Sequence, residues 1–98
     1  MAVRKTGRSW VNRLLVLRAT ENEVGFSRVG FSVSKRVGKA VVRNRVKRRL
    51  KEIVRRRNLV EGMDIVFTAR LPAADVSYIE LDRAVTHLFN RTDLISYP

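Results

Sequence analysis

Cysteine is absent from this chain, which excludes both a disulfide framework and a thiolate metal site. Histidine occurs once, at His87, too few for an imidazole cluster around a metal. Acids are scarce: nine Asp and Glu stand against 21 Lys and Arg. No paired carboxylates flank the basic residues at a useful spacing, and Glu61 and Asp64 stand alone, so no nucleophile–base constellation is available. Long apolar runs are missing too. The longest, Leu14 to Leu17, is far too short to cross a bilayer, and with arginines on both sides and no small-residue cleavage site it is not a signal peptide. Repeats, linkers and low-complexity tracts are absent. The expectation is a cytoplasmic binding protein of one domain, spanning 1–98, because 98 residues leave no room for two cores.

What the chain does have is charge of one sign, concentrated in one place. Lys35 to Arg57 carries twelve basic side chains against a single acid, Glu52, nearly all of the formal net charge of +12. Such crowding costs stability through self-repulsion, and a polyanion is the natural partner to relieve it. With 45% of residues apolar, the chain still has enough to build a packed core.

The pattern along the chain gives the architecture. Residues 1–9 are polar and basic and are expected to be a flexible lead-in. Trp10 to Ala19 is apolar and β-favouring, and predicts one strand or two short ones, followed by a turn over Thr20 to Gly25. Arg28 to Ser34 alternates strictly: Val29, Phe31 and Val33 on one face, Arg28, Gly30, Ser32 and Ser34 on the other. After a basic loop with Gly38 at a turn, Val42, Val46, Leu50, Ile53 and Val54 form one stripe at helical period over Val41 to Arg57. Met63 to Ala69 predicts another strand. Asp75 or Ser77 caps a last helix whose expected core stripe is Ile79, Leu81, Val85, Leu88 and Phe89. The fold class is therefore α+β: a two-layer sandwich of about four strands with both helices on the sheet face holding Val29, Phe31 and Val33. The face with Gly30, Ser32 and Ser34 stays open.

On the first helix Arg43, Lys47, Lys51 and Arg55 follow one another at four-residue steps with no acid among them. Solvated helix faces normally mix both signs, because like charges at i, i+4 repel, so this ridge points to phosphate binding. A membrane-surface helix is disfavoured by a stripe without Trp or Phe. A DNA-reading helix is disfavoured by a face with little besides phosphate-seeking groups.

The stretch from Phe31 to Leu50 (FSVSKRVGKAVVRNRVKRRL) resembles the signature of the bacterial ribonuclease P protein component: a strand ending S-V-S-K-[KR], a glycine turn, then A-V-x-R-N-R-x-K-R opening a helix. Ala69-Arg70-Leu71-Pro72-Ala73 resembles the family's A-R-x-P-A, and His87-Leu88-Phe89 its closing helix. The likeness runs from about Gly7 to Leu94.

The resemblance implies a sandwich like domain 2 of ribosomal protein S5, with a left-handed crossover. It also implies the protein subunit of a ribozyme in which the RNA, using Mg²⁺, removes the 5′ leader of precursor tRNA. The implied partners are ribonuclease P RNA, at one copy per protein monomer, and precursor tRNA. Carried onto matching positions, Arg43, Asn44, Arg45, Lys47, Arg48 and Lys51 would meet the RNA subunit. Ser32, Ser34, Lys35, Arg36 and Arg70 would line the leader cleft, with Trp10, Phe26 and Phe67 as aromatics for stacking, Phe67 fitting the core better. Relatives usually begin with a further helix whose aromatics wall the cleft. Nine mostly polar residues precede Trp10 here, so that wall is expected to be missing. Lys39 stands where many relatives have Asn. The competing expectation is a structural RNA binder such as a ribosomal protein.

Overall fold

In the computed structural model, residues 7–96 are described. Four strands, β1 (Arg8–Val11), β2 (Leu15–Glu21), β3 (Arg28–Ser32) and β4 (Met63–Ala69), form one sheet in the order β1-β2-β4-β3. β1–β2 and β2–β4 are antiparallel, and β3 runs parallel to β4. A parallel neighbour needs a crossover, and helix α1 (Ala40–Arg55) supplies it. Helix α2 (Tyr78–Asn90) follows β4, and each helix is preceded by a short 3₁₀ turn, Lys35–Val37 and Leu71–Asp75.

Alternation along the strands sets the layers. Leu15, Leu17 and Ala19 from β2 and Met63, Ile65, Phe67 and Ala69 from β4 point to one side, where they are buried. Val46, Leu50, Ile53 and Val54 of α1, with Leu81, Ala84, Val85, Leu88 and Phe89 of α2, close over them in a single core. Phe67 sits at its centre, fully buried, stacked on Phe31 at 6.1 Å and edge-on to Phe89 at 5.6 Å between ring centroids. Removing such a ring costs about 3–5 kcal/mol. The opposite sheet face carries Val11, Arg18, Val66 and Ser32, all exposed.

Two expectations are corrected. Ile79 does not belong to the core stripe: it is 62% exposed. Ser77 starts the helix with a complete capping box to Glu80, which turns Tyr78 toward the core and leaves Ile79 on the outer side. Arg8 and Ser9 belong to β1, opposite Ala19 and Arg18, rather than to the lead-in; residues 1–6 lie outside the described residues. The ten-residue stretch from Trp10, seven of it apolar, is split into two strands by Asn12, whose side-chain oxygen accepts from the Leu14 and Leu15 amides at 3.0 and 2.9 Å. Among the described residues no helix is long and apolar enough to cross a membrane.

Candidate nucleic-acid interface

Once the apolar stripe of α1 is buried, its basic residues divide between two flanks. Arg45 and Arg49 lie toward the segment that leads into α2, donating to the Ala74 carbonyl at 3.1 Å and the Val76 carbonyl at 3.2 Å. Lys51 and Arg55 lie on the other flank, beside Val29 and Phe31 of β3, and complete the ridge begun by Arg43 and Lys47. Asn44 and Arg48 are exposed between the flanks. The like-charged row predicted from spacing falls within one unbroken helix, so its members succeed one another at about one turn each.

Its charge is not consumed internally. Among the described residues, the only base between Lys35 and Arg57 in an ion pair is Arg57, which donates to Asp82 at 2.8 Å and to the Thr86 hydroxyl at 2.9 Å. Arg43 donates to the Gly38 carbonyl at 3.1 Å. Arginines 43, 45 and 49 thus use one donor on a main-chain oxygen and keep the rest of the guanidinium fork for an outside acceptor.

The start of α1 strengthens the site. Its cap residue, Lys39, makes no side-chain capping bond, and no acid lies in the first turn. The unmatched amides and positive dipole end therefore add to the charge of Lys39 and Arg43. The start of α2, by contrast, is closed by Ser77 and Glu80. Gly38 is needed just before α1 because Val42 packs onto it: a Cβ there would meet the Val42 side chain at 3.0 Å. Ser34, Lys35 and Arg36 are exposed around this corner, which Val37 anchors by being buried.

The open sheet face adjoins the same corner. Strand register places Val11, Val16, Thr68 and Ser32 in one row, and Ser9, Arg18, Val66 and Gly30 in the next. Among the described residues nothing larger than valine stands in the row between Arg18 and Gly30, so an extended chain can lie close to the backbone. Arg70 leaves β4 at this end, donating to the Asn12 carbonyl at 2.8 Å, and the 3₁₀ turn after it packs against the turn holding Lys35 and Arg36. Ser32, Ser34, Lys35, Arg36 and Arg70 are thereby gathered at one end of the sheet, and α1 runs back from that end along β3.

Some participants were not singled out from sequence. Arg18 is exposed in the middle of the open face; the alternation of β2, with Leu15, Leu17 and Ala19 inward, carried that signal. Arg28 lies on that face as alternation expects, but its fork onto Asp64 at 2.8 Å was not foreseen. Asn12 fixes the β1–β2 turn by further donating to the Ala84 carbonyl and contacting His87 Nδ1 at 3.3 Å. Arg91 holds the adjacent Val11 carbonyl at 3.1 Å. No local pattern marks these long-range bonds. Of the aromatics considered for stacking, Phe67 is core. Trp10 sits across from Leu17 on the core side with Arg8 over its ring at 5.1 Å, and Phe26 is exposed in the β2–β3 loop.

Comparison with known proteins gives one family throughout. The ribonuclease P family model matches residues 1–93. The ribonuclease P protein component of Alkaliphilus oremlandii is 46% identical over 96 residues, covering 96% of this chain and 84% of that protein. That of Clostridioides difficile is 43% identical over 95 residues, covering 94% and 83%. The solved RNase P protein of Staphylococcus aureus superposes with a TM-score of 0.84 at 31% identity, covering 92% of this chain and 84% of that one. The RNase P protein of Thermotoga maritima gives 0.78 at 31% identity, covering 91% and 86%.

Proposed function

This chain belongs to the ribonuclease P protein family, and from that premise we propose how its surface is divided between two RNA ligands. The ridge and outer face of α1, with Arg43, Asn44, Arg45, Lys47, Arg48 and Lys51, bind the ribonuclease P RNA. The open sheet face and its corner, with Ser32, Ser34, Lys35, Arg36 and Arg70, hold the 5′ leader of precursor tRNA, and Arg18 joins them. The observation that carries this division is the continuity of an unpaired cationic ridge with a bare, small-residue sheet face at one corner of the fold. Family membership disfavours the alternative of a purely structural RNA binder such as a ribosomal protein.

The groups on this surface are guanidinium, ammonium, hydroxyl and amide. They donate hydrogen bonds and positive charge, and they orient phosphates. We therefore assign hydrolysis of the leader bond to the RNA, with Mg²⁺ taken up by that RNA, and binding and alignment to this chain. One protein monomer acts per RNA, in the cytoplasm. The test is cleavage of labelled precursor tRNA by a ribonuclease P RNA at low Mg²⁺: adding the chain should raise the rate of 5′ cleavage. An unchanged rate, despite measured binding to the RNA, would defeat the assignment.

A further inference from the structure

A groove of about 370 Å³ opens on the flank of α1 away from α2, lined by Val29, Phe31, Val54 and Leu59 with Lys51 and Arg55 at its rim. Its volume falls in the range of small-ligand clefts. Arg57 also reaches it, but is held by Asp82 and Thr86. Among the described residues no acid lines it. β3 is an edge strand of the sheet, so one backbone edge of the groove wall pairs with no other described strand. An apolar, partly aromatic floor beneath two uncommitted cations is complementary to a ligand that is flat and apolar at one end and anionic at the other.

We propose that this groove receives one unstacked nucleotide of an RNA partner, with the base against Phe31, Val29 and Leu59 and the phosphate on Lys51 and Arg55. Continuity with the rest of the basic helix favours this occupant. Lys51 and Arg55 continue the row of Arg43 and Lys47, each step advancing about 6 Å along the helix, so a strand following the row reaches the groove at its far end. Phe31 and Phe67 are within 14° of parallel, and an inserted base extends that stack. The open edge of β3 offers main-chain donors and acceptors to the base edge. The assignment rests on the RNA-binding role proposed above and adds a base-contacting site to a surface otherwise made for phosphates.

The test uses the full chain labelled uniformly with ¹³C and ¹⁵N, so that methyl, lysine and arginine side-chain signals are all read. Adenosine monophosphate should shift the Val29, Val54 and Leu59 methyl signals saturably and give contacts from base protons, whereas inorganic phosphate at equal ionic strength should move Lys51, Arg55 and other basic side-chain signals but leave those methyls in place. Phe31→Leu, which keeps the volume but removes the ring, should weaken adenosine monophosphate binding about tenfold. A nucleotide response identical to that of phosphate overturns the proposal. So does a titration with ribonuclease P RNA in which the Arg43 and Lys47 signals move while the groove methyls stay at their free positions; that result leaves the RNA-binding role standing. If none of these signals moves with the RNA, the role and the groove assignment fall together.

Discussion

Arg28 and Asp64 face each other across the parallel β3–β4 pair, the guanidinium forked onto both carboxylate oxygens at 2.8 Å. Asp64 also accepts from the Asn22 amide at 2.9 Å. These bonds, that from Arg28 first, hold the Asp64 carboxyl below its usual range. The pair sits on the open sheet face, where it cancels one positive charge that a bound RNA would otherwise meet.

A carboxylate with a depressed folded-state pKa stabilises the fold above its unfolded value of about 3.9, and that contribution is lost as pH falls through the lower folded value. Asp64→Asn should therefore be less stable than the parent by an amount that is constant above about pH 5 and shrinks below about pH 4. Urea unfolding of both proteins across that window checks this. Because both side chains are partly exposed, the difference should be small and should decline with added salt.

Arg43→Ala and Arg45→Ala should each weaken binding to the ribonuclease P RNA by about 1–3 kcal/mol for each charge-assisted hydrogen bond removed. Every phosphate that is no longer neutralised should also flatten the dependence of log affinity on log salt, by a little under one unit on duplex nucleic acid. Fluorescence anisotropy over a salt series measures both. A parent chain whose affinity ignores salt would contradict the electrostatic basis of the interface.

Gly38→Ala should destabilise the protein by about 1–3 kcal/mol, the usual range for overpacking, because the added methyl meets Val42 at 3.0 Å. Combining it with Val42→Ala should cost somewhat less than the two single changes added together, since the second removes the Cγ1 at 3.0 Å and leaves the Cβ at 3.1 Å. Denaturant midpoints for the four proteins form the cycle. Additive losses would show that the Val42 Cγ atoms are not what keeps position 38 free of a side chain.

Arg70→Ala should reduce discrimination between precursor and mature tRNA, while affinity for the RNA subunit stays close to that of the parent. Arg70 lies on the sheet corner and not on α1, tied to the Asn12 carbonyl. Competition binding by the assembled ribonucleoprotein with both tRNA forms reads the ratio. Equal loss for both forms would remove Arg70 from the leader path.

Much of this was legible in the sequence because the relevant periods are local. The strict alternation after Arg28 and the spacing of Val42, Val46, Leu50, Ile53 and Val54 placed β3 and α1 to within a few residues, and Met63–Ala69 was bounded as observed. The signature from Phe31 to Leu50 carried the family, and through it the basic surface. Local pattern failed where tertiary bonds decide. Asn12 breaks an apolar run because its side chain satisfies amides two and three residues on. Arg8 and Ser9 join a sheet edge through pairing with residues some ten positions away. Ile79 is apolar yet faces outward, because Ser77 fixes where the helix begins. Arg18 was in plain view by alternation, but its role depends on Val66 and Gly30 being its neighbours across the sheet.

The carbonyl tethers on Arg45 and Arg49 have a thermodynamic consequence. Long cationic side chains normally surrender rotamer freedom when they dock, worth about 0.5–1.5 kcal/mol apiece. Here that freedom is already restricted in the unbound protein by Ala74 and Val76. Replacing either arginine by lysine would retain the charge but free the headgroup, and should shift association toward a larger entropic penalty even where its heat is preserved.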